Sequence, residues 1–159
     1  MLHAEPHLAS AVLVAVQWQA SPDHPQRSMP TDRPLLLVVD DEATVLRYVS
    51  NALRIRQFGF ILAEDGERGL DLFLANRDEI AMVLTDVAMP RLSGPEMARQ
   101  IRRIDPQVGL IFMTGFSPTQ VIPQEFRACP WLSKPFTPQQ LFDVIDQCLK
   151  SREHKPPPD

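Results

Sequence analysis

Five aliphatic residues, Leu35-Leu36-Leu37-Val38-Val39, run without a polar break straight into Asp40-Asp41-Glu42. A strand with one wet face alternates and a surface helix keeps a polar side, so a short run that is apolar throughout reads as the central strand of a parallel sheet, covered above and below. Its abrupt acidic end sets the rest of the reading. The following stretch spaces Val45, Leu46, Val49, Ala52 and Leu53 three and four apart, with Arg47, Asn51 and Arg54 between them, which is one buried face of a helix. Gly59 is expected to stop that helix.

The alternation then repeats. Phe60 to Ala63 reads as a second strand, and residues 67 to 76 as a helix with Leu70, Phe73 and Leu74 inward. Residues 81 to 84 read as a third strand, and 95 to 104 as a helix burying Met97, Ala98, Ile101 and Ile104, with Pro95 tolerated in the first turn because its missing N–H would lack a partner there anyway. Gly109 to Met113 is a fourth buried strand and Trp131-Leu132 a short fifth. Between these two, Pro118 and Pro123 limit any helix to a turn or two. Residues 138 to 150 close with Leu141, Phe142, Ile145, Cys148 and Leu149 at helical spacing. Five such βα units indicate an α/β fold, an open, doubly wound parallel sheet, with a short irregular fourth helix.

Length and composition bound the alternatives. The 159 residues hold one ordinary domain with short extensions. Of 16 prolines, five precede Leu35 and three stand at 156, 157 and 158, so residues 1–33 are expected to be a flexible leader, 34–150 the domain and 151–159 a disordered tail. Met29 offers a second start within the leader, the other reading being a remnant linker. A net charge of −4 disfavours nucleic acid as a partner. The longest apolar run outside the domain, residues 8 to 16, is far short of the ~20 residues that span a bilayer. It also lacks the basic flank of a secretory signal, so a cytoplasmic location is expected. Cys129 and Cys148 have neither CxxC nor metal spacing and read as free thiols, with a disulfide as the lesser alternative.

In a doubly wound sheet, ligands gather beyond the carboxyl ends of the strands. Strand one ends in Asp40-Asp41-Glu42, strand three in Thr85-Asp86, strand four in Thr114-Gly115 and strand five in Ser133-Lys134-Pro135. Converging carboxylates repel by roughly 4 kcal/mol per pair at ~4 Å and an effective dielectric near 20. Lys134 offsets part of this, and a hard cation such as Mg²⁺, which prefers oxygen ligands beside a phosphoryl group, suits the remainder. A carboxylate can itself accept a phosphoryl group, with cations neutralising the equatorial oxygens and a hydroxyl hydrogen-bonding one of them.

The words Leu37-Val38-Val39-Asp40-Asp41-Glu42, Thr85-Asp86-Val87-Ala88-Met89-Pro90 with Ser93-Gly94, Met113-Thr114-Gly115 and Lys134-Pro135-Phe136, in this order, resemble the receiver domain of two-component response regulators across residues 35 to 150. The resemblance implies a flavodoxin-like (βα)5 fold with strand order 2-1-3-4-5 and Mg²⁺-dependent transfer of phosphate from a phosphohistidine to Asp86, with later hydrolysis and no turnover of another substrate. It implies metal ligation by Asp41, by Asp40 directly or through water, by Asp86 and by the Ala88 carbonyl. Lys134 would contact the phosphate, Thr114 would move toward it, and Pro135 would help aim the lysine, often through a cis bond. Trp131 stands where the family usually carries Tyr or Phe, the ring that swings inward as part of the switch. The donor implied is a histidine kinase or histidine phosphotransfer protein, the output a contact with a downstream protein, and the assembly a monomer or weak dimer.

Only residues 151 to 159 follow the last helix, so no attached output domain is expected. Other classes fit less well. A haloacid-dehalogenase-type phosphohydrolase would carry a second Asp where Ala88 stands, and a flavodoxin needs a hydroxyl- and glycine-rich loop where Asp40-Asp41-Glu42 stands. A histidine phosphotransfer protein needs a core histidine, and the four here are at 3, 7, 24 and 154. The remaining alternative is a pseudo-receiver, a phosphorylation-independent interaction module, which the tryptophan and the proline-rich fourth-helix region keep open.

Overall fold

The structure, a computed structural model, describes residues 33–153. The expected leader, apart from Arg33, and the tail beyond residue 153 lie outside the described residues. Five parallel strands, β1 (Leu35–Val39), β2 (Gly59–Ala63), β3 (Ile80–Asp86), β4 (Gly109–Thr114) and β5 (Trp131–Ser133), form one sheet in the order β2-β1-β3-β4-β5. The helices are α1 (Ala43–Ile55), α2 (Gly66–Asn76), α3 (Gly94–Ile104), α4 (Pro118–Val121) and α5 (Pro138–Glu153), with a 3-10 turn at Gln124–Phe126.

The central strand is covered on both faces as its sequence demands. Leu37 and Val39 enter the core layer beneath α2 and α3, while Leu36 and Val38 enter the layer beneath α1 and α5. Every residue of β1 is buried. Full burial of one such aliphatic side chain contributes about 1.5–3 kcal/mol, so these residues fix the strand's place in the sheet. Reversal of strand order around β1 and β3 leaves a crevice at their carboxyl ends.

Local chemistry sets the helix starts. The Asp65 side chain accepts from the Arg68 N–H at 2.7 Å to cap α2. Ser93 and Glu96 form a reciprocal capping box at α3, and Thr137 and Gln140 exchange equivalent bonds at the start of α5. The α4 region is one four-residue helix followed by the 3-10 turn, as Pro118 and Pro123 require.

Four expectations are corrected. Gly59 does not stop α1. Gln57 takes φ 58°, the Phe58 N–H reaches the Leu53 carbonyl and the Gln57 N–H the Arg54 carbonyl, which closes the helix two residues earlier and leaves Gly59 to open β2. Leu74 is 48% exposed rather than inward. The helix packs through Gly66 and Gly69, where a Cβ would come within 2.3 Å of the Leu92 carbonyl and 2.9 Å of Val39, and this brings Leu72 into the core beside the expected Phe73 in place of Leu74. Ile104, in the last turn of α3, is likewise 37% exposed. The helix α5 runs to Glu153, past the expected boundary at 150, and Arg152 there donates to the Ala81 carbonyl at the start of β3.

Candidate functional site

The carboxyl ends of β1, β3, β4 and β5 bring their terminal side chains together. Asp86 is the last residue of β3, Thr114 the last of β4, and Lys134 follows β5 directly. Carboxylate oxygens of Asp40, Asp41 and Asp86 lie within 4.8 Å of one another, with Asp40 and Asp86 buried and Asp41 exposed. Lys134 stands among them. Its Nζ donates to Asp40 Oδ2 at 2.7 Å and lies 3.2 Å from Asp86 Oδ1 and 3.4 Å from Glu42 Oε1. The Lys134-Pro135 peptide is cis.

Asp40 is fully buried with both oxygens engaged, since Oδ1 accepts the Glu42 N–H at 2.9 Å. Burial pushes its carboxyl above the usual value, against the bonds from Lys134 and Glu42. Burial, and then the neighbouring Asp40 charge, push Asp86 up to about 6, against the pull of Lys134. Although burial opposes its charge, the lysine is raised by its bond to Asp40 and the attraction of both acids. The pocket thus carries excess negative charge that one ammonium does not cancel. The donor set, three carboxylates within mutual reach, suits a hard oxygen-seeking cation.

The backbone around Asp86 is closely fitted. A Cβ on Gly94 would sit 2.1 Å from the Asp86 carbonyl, and the Gly94 N–H donates to the Val87 carbonyl. Arg91, at φ 66°, pairs with Asp65 at 2.9 Å and Glu67 at 3.3 Å, tying the loop that carries Ala88 to the start of α2. Thr114 is buried, and its Oγ1 accepts the Phe116 N–H at 2.9 Å. An open cleft of about 780 Å³ above the site is lined by Asp41, Glu42, Val45, Tyr48, Asp86, Ala88, Thr114, Phe116, Lys134 and Phe136.

All the residues singled out from the strand ends therefore meet here, except Trp131. That ring lies at the far end of three-residue β5, opposite Phe112, and is 44% exposed. Two site contacts escaped the sequence reading. Glu42, named at the end of strand one without a role of its own, also faces the lysine. Tyr48, on α1, donates from its hydroxyl to the Phe136 carbonyl at 2.8 Å, a contact across 88 residues that no local pattern announces. Among the described residues, neither Cys129 nor Cys148 takes part in a disulfide.

Fold and site together define a doubly wound protein whose chemistry is an aspartate pocket with one lysine at the carboxyl edge of the sheet. The chain belongs to the response regulator receiver domain family, whose model matches residues 36–146. It is 32% identical over 117 residues, 72% of this chain and 48% of the relative, to the probable transcriptional regulator ycf27 of Porphyridium aerugineum. It is 27% identical over 121 residues to the sensor kinase CckA of Brucella abortus, covering 74% of this chain and 13% of that one. The chain thus spans about half, or much less, of the length of these relatives. A crystal structure of a response regulator receiver domain protein from Clostridium thermocellum superposes with a TM-score of 0.70 at 31% identity, over 76% of this chain and 97% of that one.

Proposed function

We propose that this receiver domain takes up a phosphoryl group on Asp86 from a phosphohistidine of a histidine kinase or histidine phosphotransfer protein, in the cytoplasm, and signals by contacts with a downstream protein. The observation that carries this reading is the convergence of the Asp40, Asp41 and Asp86 oxygens within 4.8 Å beside Lys134 Nζ. An Asp86 oxygen attacks phosphorus, the P–N bond breaks, and the imidazole leaves with the electron pair and takes up a proton. Lys134, 3.2 Å from Asp86, neutralises a phosphoryl oxygen as its bond to the free carboxylate is exchanged. Thr114 donates to a second oxygen once its bond with Phe116 rearranges, which passes the change to the loop after β4.

Asp41 and Asp86 would hold Mg²⁺ directly together with the Ala88 carbonyl, and Asp40, both of whose oxygens are already engaged, would do so through water. When bound, Mg²⁺ supplies charge neutralisation at the transferring phosphoryl group. Receiver domains are not in general turnover enzymes, and hydrolysis of the aspartyl phosphate would reset the site. The Lys134-Pro135 bond is cis, and Pro135 would help aim the lysine. The inward movement of Trp131, and a monomeric or weakly dimeric state, are further parts of this reading.

The test is transfer from acetyl phosphate with Mg²⁺, followed by intact mass, and Asp86→Asn must take up nothing. The pseudo-receiver reading draws on the four-residue α4 and the exposed Trp131. It expects partner binding that is equal with and without phosphodonor.

A further inference from the structure

The segment that carries Lys134 toward the acids is held at its two ends. The Lys134 N–H donates to the Thr114 carbonyl at 2.8 Å, and Thr137 exchanges capping bonds with Gln140. Between these ends Pro135 has no N–H to give. The bond recorded there comes from the Tyr48 hydroxyl to the Phe136 carbonyl at 2.8 Å, backed by an edge-on contact of the two rings with centroids 5.8 Å apart. Tyr48 stands on α1, the helix that begins directly after Asp40-Asp41-Glu42. One side chain thus ties the lysine's loop to the helix rooted at the acidic pair. Nothing in the phosphoryl chemistry assigns Tyr48 a role, and the residue is 41% exposed, where a tyrosine is not needed to fill the core.

We propose that Tyr48 is a positioning residue for Lys134, a brace that fixes the Lys134-Pro135-Phe136 loop against α1 so that Nζ stays among Asp40, Glu42 and Asp86. The ammonium serves three carboxylates at 2.7, 3.2 and 3.4 Å, so a small swing of its loop alters which acid it prefers. With the brace in place, Nζ remains within reach of Asp86 rather than withdrawing with Asp40 alone. Tyr48 touches no reacting atom, and its effect passes through the Phe136 carbonyl. For catalysis the proposal rests on Asp86 as phosphoryl acceptor; for geometry it does not.

Two readouts on the full chain keep these apart, using Tyr48→Phe, which retains the ring and removes the hydroxyl. Because the chain has three lysines, at 134, 150 and 155, ¹⁵N-lysine labelling gives a resolvable Nζ signal for Lys134, assigned by its loss in Lys134→Arg. Tyr48→Phe is expected to shift that signal and speed its hydrogen exchange while leaving the other two unchanged and the urea midpoint near wild type. Uptake of phosphate from acetyl phosphate should fall about threefold to tenfold at saturating donor, the worth of one hydrogen bond, with the Mg²⁺ dependence unchanged. An unchanged Lys134 signal overturns the brace whatever the kinetics. A changed signal with unaltered uptake overturns its link to phosphoryl transfer. A changed signal in Tyr48→Phe, where the wild-type protein itself takes up no phosphate, supports the brace and overturns the phosphoryl reading.

Discussion

Replacing Asp86 by Asn should stabilise the metal-free protein at neutral pH while removing its proposed chemistry. In the folded chain Asp86 is pushed from 3.8 to about 6 by burial and by the Asp40 charge. A raised carboxyl pKa means that the folded state holds its proton more tightly than the unfolded state does. Stability is therefore lost as pH rises from about 4 to about 6 and stays lost above that. Two pKa units at ~1.4 kcal/mol each set a ceiling of about 3 kcal/mol on the gain from deleting the charge. The pull of Lys134 at 3.2 Å is already within that figure, and part of the gain is returned because the amide must itself be taken out of water in the pocket. A net gain of about 1–2 kcal/mol, or roughly 4–8 °C in Tm for a domain of this size, is expected at pH 7.5. Urea and thermal melts in EDTA at pH 7.5 and pH 4 would measure it, with the gain shrinking toward zero at the lower pH. Excess Mg²⁺ should narrow the gap by stabilising the wild type. A variant that is less stable at pH 7.5, or whose gain persists undiminished at pH 4, would refute the electrostatic reasoning.

Other outcomes follow from particular contacts. Lys134→Ala should slow phosphate uptake at least tenfold while weakening Mg²⁺ binding little or strengthening it, because a positive charge leaves the acids; isothermal titration beside mass spectrometry would separate the two. Gly94→Ala forces a Cβ to within 2.1 Å of the Asp86 carbonyl, so it should cost more than ~2 kcal/mol in urea melts and lower Mg²⁺ affinity by displacing the strand end. Ser93→Ala removes half of the capping box at α3 and should cost about 1 kcal/mol without changing phosphate uptake. Cys148, whose thiol is pushed up to about 11 by burial, should resist iodoacetamide at pH 8 until the protein is unfolded.

Much of this was legible in the chain because the physics is local. An apolar run ending in acids names a covered strand and its functional end, and four such ends in sequence place Asp40, Asp86, Thr114 and Lys134 on one rim. Proline positions foretold the short α4. Helical periodicity failed where backbone approach set the rotation. Leu74 looks inward by spacing, yet Gly66 and Gly69 let α2 settle on Val39, Leu92 and Met97 and turn it outward. Gly59 looked like a helix stop, but Gln57 took the left-handed position. Tyr48 was invisible because its partner, the Phe136 carbonyl, is made adjacent only when the loop after β5 folds against α1. The same holds for Arg91 and its two acids across 24 to 26 residues.

The claim that Asp86 is the phosphoryl acceptor is tested most directly by incubating the chain and its Asp86→Asn variant with acetyl phosphate or phosphoramidate and Mg²⁺, then recording intact mass and mapping the label. The account predicts a gain of one phosphoryl group that is abolished by EDTA and by Asp86→Asn. A label on another residue, or equal uptake in the variant, would contradict it.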